Sequence, residues 1–251
     1  MRKARNTSLS IEIAGPAFCR GMGAWSDDEP PRPGKVVKVP VEALRPTQMA
    51  VGMRTVTQKR LKLESVAGRR KRVQKLLEKR SIPVVLGPGG EPFLVDHHHF
   101  GLALWQAGIE TTYARIIADL THMAPTAFWR QMETEGRLYP FDENGERVAP
   151  GRLPTWLHAL RHDTYRDMAA EVRDAGGFAK VAEPYAEFRW ADFFRARIPL
   201  AAVRRGYEAA LAEAVALCRS RDAAHLPGYR GRGRSKEADA GRRELGGERR
   251  L

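Results

Sequence analysis

An α+β fold is predicted, in which a small mixed sheet with helices is followed by a mainly helical C-terminal half. Three observations predict it. Short runs rich in β-branched and other apolar residues occur at positions 36–39, 82–86, 93–95 and 112–118. The segments between them carry apolar residues at helical spacing, as at Leu61, Val66, Val73, Leu76 and Leu77. Beyond Pro125 the β-like runs stop, and caps and breakers punctuate a series of helical patterns.

Residues 1–35 read as a flexible arm, because Pro30, Pro31 and Pro33 among Asp27, Asp28 and Glu29 make a linker. Residues 35–40 alternate Val36, Val37 and Val39 with lysines and give a first strand. Arg45-Pro46-Thr47-Gln48 reads as a polar turn, with Gly52 allowing another bend. Residues 56–80 form a long basic helical region that Gly68 breaks. The strand at 82–86, the Gly87-Pro88-Gly89-Gly90 turn and the run 93–95 make a hairpin. A helix from His97 ends at Gly108, and 112–118 is the last strand of a unit spanning 36–122. The second unit, 123–218, has helices at about 127–135 (with Thr126 as N-cap), 155–161, 163–175, 185–195 and 200–218. Residues 219–251, glycine- and arginine-rich, read as a disordered basic tail.

The net charge of +13 is concentrated. Residues 54–80 hold eleven Lys/Arg against Glu64 and Glu78, a balance of +9. Residues 219–251 hold ten against five, a balance of +5, so the rest of the chain is near neutral. Basic segments of this kind serve polyanions or form solvated faces, and both readings stand. No apolar run approaches the roughly 20 residues of a membrane span. Cys19 and Cys218 fall outside the expected core without metal-ligand spacing, which fits a reducing, cytoplasmic setting.

The stretch richest in chemistry is Val95-Asp96-His97-His98-His99, where a strand meets a helix N-terminus. Unsatisfied N–H groups and the positive dipole end make such a place an anion site. Three consecutive histidines fan across most of a helical turn, so one or two can face a ligand. Asp96 and His98 are the first choice for a working pair, the carboxylate orienting an imidazole that serves as general base or metal ligand. Alternatively, Asp96 is an N-cap and the histidines are packing. A metal held by Asp96, His97 and His99, with His122, is a further reading.

Four blocks resemble the ParB/sulfiredoxin fold, and within it the ParB-like nuclease group. They are Leu44-Arg45-Pro46-Thr47-Gln48 with Val51-Gly52 and Lys59; Val95-Asp96-His97-His98-His99; Asp163-Thr164-Tyr165-Arg166 with Ala175-Gly176-Gly177-Phe178 and Lys180; and Glu187-Phe188-Arg189-Trp190-Ala191-Asp192-Phe193 with Arg195. The resemblance implies phosphate binding at the helix after the hairpin, with His97 at the usual glycine position and Phe100 at the usual arginine position. It implies a phosphoester or nucleotide substrate, with Asp96, His98 and His99 as the catalytic set. Arg45, Thr47, Gln48, Lys59, His97, Arg166 and Lys180 would hold the anion. A divalent metal ion or a nucleotide is the cofactor to expect, and nucleic acid or a nucleotide the partner. Hydrolysis of phosphodiesters, non-catalytic binding of nucleic acid or nucleotide, and small-molecule phosphotransfer remain the alternatives. Trp190, Phe188, Phe193 and Phe194 are expected to pack the helical half on the hairpin unit.

Overall fold

The structure, a computed structural model, describes residues 32–231. Its main sheet has four strands in the order β1-β5-β3-β4: β1 (Val36–Pro40), β3 (Ile82–Leu86), β4 (Pro92–Leu94) and β5 (Thr111–Asp119). β3 and β4 form the expected antiparallel hairpin, β5 lies parallel to β3, and β1 lies antiparallel to β5. All five residues of β3 are buried, which suits a central strand covered on both faces. Its alternation is visible in the core. Ile82, Val84 and Leu86 join the cluster under the helices, and Val85 joins Phe93, Phe128 and Met132 on the other face.

The basic region is two helices, α1 (Met53–Glu64) and α2 (Arg70–Lys79), parted around Gly68 as its glycine predicts. The helix after the hairpin, α3 (His98–Gln106), packs against α1. Helix α4 (Pro125–Thr134) starts two residues earlier than expected, with Pro125 at the first helical position and Ala124, not Thr126, as its N-cap.

The stretch 45–48 is not a surface turn. The Arg45 N–H donates to Pro92 O at 2.9 Å and Leu94 N–H donates to Arg45 O at 2.8 Å, so this segment covers the outer edge of β4. Arg45, Thr47 and Gln48 are consequently all buried. Just beyond, β2 (Ala50–Val51) pairs in parallel with β6 (Arg161–His162). The expected helix at 155–161 is instead a 3-10 turn, Leu157–Ala159, leading into β6.

The helical half comprises α5 (Thr164–Asp174), α6 (Ala186–Arg195), α7 (Leu200–Arg205) and α8 (Tyr207–Leu217). The last two were expected as one helix, and Gly206 separates them. Trp190, Phe193 and Phe194 pack into this half's own core with Phe178, not against the hairpin; Phe178 stacks on Trp190 at 4.4 Å. Cys218 lies in the same core rather than outside it, and burial pushes its thiol up to about 12. The described part of the expected tail also belongs here. Ala223 and Leu226 are buried, Trp190 Nε1 donates to Pro227 O at 2.7 Å, and Ala179 N donates to Gly228 O at 2.8 Å. The arm, Cys19 and positions 232–251 lie outside the described residues.

One buried carboxylate ties the two halves together. Asp167 on α5 accepts from Arg54 N at 2.9 Å and Thr55 N at 3.0 Å, capping α1 from another element, and meets His162 Nε2 at 3.1 Å. The Asp167 bond raises the His162 pKa against the effect of partial burial. Burial alone would raise Asp167, but His162 and the two amides hold it below its usual value. The signs differ. His162 stabilises the fold below its unfolded pKa, about 6.5, and that contribution is lost as pH rises through its higher folded value. Asp167 stabilises above its unfolded pKa, about 3.9, and is lost as pH falls. His162→Gln is therefore expected to flatten the loss of stability on the alkaline side of pH 6.5 in urea melts. An unchanged profile would show that the pair carries no linkage.

Candidate functional site: a cavity at the start of helix α3

The chain enters α3 through a left-handed residue, His97, at φ 67°. Glycine takes this conformation at no steric cost, which accords with the glycine that the resemblance led one to expect here. His97, not Asp96, is the N-cap. Asp96 is exposed, accepts from His97 N at 2.6 Å, and lies 4.0 Å from His97 Nε2, so its carboxylate is beside His97 rather than His98.

The next two histidines turn inward with defined roles for each nitrogen. His98 Nε2 accepts from Thr47 N at 3.0 Å, and the Thr47 hydroxyl, 3.3 Å away, donates to Leu94 O at 2.6 Å. His99 Nε2 accepts from Gly52 N at 3.1 Å. A backbone N–H can only donate, so both imidazoles are neutral and carry their proton on Nδ1. Burial drives both pKa values down to about 3, which agrees with that assignment. His98 Nδ1 has no hydrogen-bond partner.

These groups line a cavity of about 390 Å³ with residues from the helical half. From α5 comes Arg166, 6% exposed, its guanidinium carbon 3.0 Å from the centre of the Phe188 ring. Its Nε and Nη1 are buried without an acceptor. Burial lowers its pKa to about 10, so it stays charged at neutral pH. Gln48 Oε1 is likewise buried and unpartnered. The connection from Ala179 to Tyr185, carrying Lys180 and Glu183, forms another wall. Tyr185 anchors it by donating from its hydroxyl to Gly136 O at 2.6 Å.

Of the residues singled out from sequence, Gln48, Asp96, His98, His99, Arg166 and Lys180 meet at this cavity. Thr47 stands behind it, orienting His98. Arg45 is turned away, paired with Glu91 at 3.0 Å and stacked 4.1 Å from the Trp156 ring. Lys59 is half-buried near Asp96, and burial lowers its pKa. Burial lowers the His97 pKa, outweighing the nearby Asp96 carboxylate. His122 is exposed beyond the end of β5, near Asp119 rather than the other histidines. Among the described residues no three His, Cys, Asp or Glu side chains gather as a metal site, so Asp96, His97, His99 and His122 do not form the cluster considered from sequence.

Sequence reasoning missed Arg173 and Tyr185 in the cavity wall, and gave Glu187, quoted in the fourth block, no role there. Arg173 is ion-paired with Glu187. Asp163, the N-cap of α5, accepts from Tyr165 N at 2.9 Å and binds Arg195 at 2.6 Å; Asp192 also pairs with Arg195. Arg195 is therefore neutralised, whereas Arg166 has no hydrogen-bonded or ion-paired partner.

Residues 37–196 match the family model described as "Putative ParB-like nuclease". Among solved structures, the chain is similar to protein Atu1540 from Agrobacterium tumefaciens. The two are 38% identical with a TM-score of 0.70, over 79% of this chain and 100% of that one. A search of curated proteins finds no match. No helix among the described residues is long and apolar enough to cross a membrane. The family match runs from β1 to the residue after α6 and takes in every cavity residue named above: this chain belongs to the ParB-like nuclease family.

Proposed function

We propose that the cavity at the start of α3 binds a phosphoester, either a nucleotide or a phosphate of nucleic acid, in preparation for hydrolysis. The single observation that carries this reading is Arg166, a buried guanidinium whose Nε and Nη1 have no hydrogen-bond acceptor, lining the same cavity as a helix N-terminus. An unpaired buried charge costs several kcal/mol by the usual magnitudes, and an anion in the cavity offsets that cost. The neutral imidazoles fit the same role. His98 and His99 offer Nδ1–H donors and, with Phe100 N and Gly101 N taken by His97 O, the start of α3 leaves the amides of His98 and His99. Lys180 contributes an exposed positive charge from the wall.

The same geometry assigns acid–base work away from His98. Its acceptor nitrogen is committed to Thr47 N–H, so taking up a proton there would break that bond. Asp96 lies at the rim with an exposed carboxylate and is the proton acceptor we assign for an attacking water. The test is calorimetry with nucleoside monophosphates and the matching nucleosides, followed by hydrolysis assays on wild type and Asp96→Asn. Binding that requires the phosphate, and turnover lost in Asp96→Asn, is the expected result. Equal binding of nucleoside and nucleotide would sink it.

A second reading, non-catalytic binding of nucleic acid, draws on α2, where Arg70, Lys71, Arg72, Lys75 and Lys79 are exposed. Such binding should weaken steeply with salt and be indifferent to Asp96→Asn.

A further inference from the structure

We infer that the cavity takes a small hydroxyl-bearing phosphomonoester, entering phosphate-first, and not an internal phosphodiester of a duplex. This inference rests on the phosphoester reading above and narrows it. Three arguments lead to it. The first is depth. His98 and Arg166 are 2% and 6% exposed, yet both line the cavity, so the groups that would meet the ligand lie at its inner end and not on the open surface. A duplex carries its phosphates on the outside of a wide rod, with chain running away on both sides of each. Bringing one such phosphorus down to Arg166 would drive the neighbouring nucleotides into α3 and the 179–185 wall. A terminal phosphate has chain on one side only and meets no such obstacle.

The second argument is size. A cavity of about 390 Å³ lies near the small end of the range that holds single small molecules, roughly 300–1,000 Å³. The third is the count of unsatisfied atoms. Arg166 Nε, Arg166 Nη1 and His98 Nδ1 are three donors lacking acceptors. A phosphomonoester supplies three non-bridging oxygens, whereas a diester supplies two. Gln48 Oε1 is an acceptor lacking a donor, and a ligand hydroxyl satisfies it. The wall carrying Lys180 and Glu183 is fixed at both ends, by Ala179 N to Gly228 O at 2.8 Å and by Tyr185. Held at both ends, the wall does not readily swing aside, which again favours a slim ligand.

The experiment is competition calorimetry on the full chain and on Arg166→Met. The probes are ribose 5-phosphate, adenosine 5′-monophosphate, dimethyl phosphate and a blunt duplex without terminal phosphates. The two monoesters should bind and lose at least tenfold in affinity in Arg166→Met. Dimethyl phosphate should bind at least tenfold more weakly. The duplex should either not bind or bind equally to both proteins, as a ligand of the α2 surface would. If the duplex displaces the monoesters and is itself weakened by Arg166→Met, this inference is wrong while the phosphoester reading survives. If no probe responds to Arg166→Met, the phosphoester reading itself fails.

Discussion

Arg166→Met is expected to weaken binding of a phosphorylated ligand by about 100-fold while leaving the melting temperature unchanged or raised. Hydrogen bonds from a charged donor contribute about 1.5–3 kcal/mol each, and about 1.4 kcal/mol corresponds to tenfold in affinity. Losing two such bonds therefore gives about 100-fold or more. Stability should move the other way. The guanidinium is buried with two nitrogens unpaired, and its desolvation outweighs the attraction of Asp163 and Asp192. Methionine approximates its length, packs on Phe188, and has nothing to desolvate. A binding residue held at the expense of stability predicts this opposition, which a structural arginine would not show. Calorimetry and thermal melts read both quantities. Wild-type affinity in the variant, or a melting temperature lowered by several degrees, would contradict the assignment.

Gly52→Ala should be the most destabilising small substitution in the chain's first unit, by about 3 kcal/mol, as expected of a buried clash that also breaks a cap. A Cβ on residue 52 would stand 2.7 Å from Asp167 Cγ and 3.0 Å from Asp167 N. The carboxylate would have to leave Arg54 N and Thr55 N, uncapping α1. The shift also reaches the site, because Gly52 N is the donor that fixes the His99 tautomer. A fall in melting temperature of about 10 °C follows for a chain of this size. A double-mutant cycle separates the cause from general disruption. With Asp167→Ala already present, Gly52→Ala should cost less, since the carboxylate is gone and only the 3.0 Å approach to the residue 167 amide remains. Full additivity would place the damage elsewhere.

Most of the sheet could be read from the sequence because its strands are short apolar runs between strong breakers. β3 lies between Arg80-Ser81 and Gly87-Pro88, and its buried positions leave no other reading. Gly68 and Gly206 both interrupt helices; the first was anticipated in a sparse apolar stripe, whereas the second is hidden among the alanines and leucines around α8. The segment 45–48 was misread because its polarity resembles a surface turn. Its burial comes from backbone pairing with β4, which leaves no periodicity in the side chains. The trace from 219 to 231 shows the same blindness. Few residues there look core-forming, yet Leu226, Ala223 and the carbonyl of Pro227 complete the setting of Trp190.

The site was legible in part, for a chemical reason. Histidines, arginine and lysine stand out by type, so Gln48, Asp96, His98, His99, Arg166 and Lys180 could be named before their meeting was visible. What each nitrogen does could not be named. Pairing Asp96 with His98 was a guess from adjacency. In the fold the left-handed turn at His97 points Asp96 outward, and Thr47 takes the acceptor position on His98. The missing arginine also finds its explanation. Phe100 is 4% exposed and belongs to the core cluster under α3, so a charge at that position would be buried in apolar surroundings. The guanidinium in the cavity comes from α5 instead, 66 residues further along the chain by number.

The most direct test of the account is the protonation state of the two inward histidines, read from side-chain ¹H–¹⁵N long-range spectra between pH 5 and 8, with and without adenosine 5′-monophosphate. Both rings should hold the neutral Nδ1–H form throughout that range, and the His98 Nδ1 signal should shift when the phosphate binds. A charged imidazolium near neutral pH, a proton on Nε2, or a His98 signal indifferent to bound ligand would contradict it.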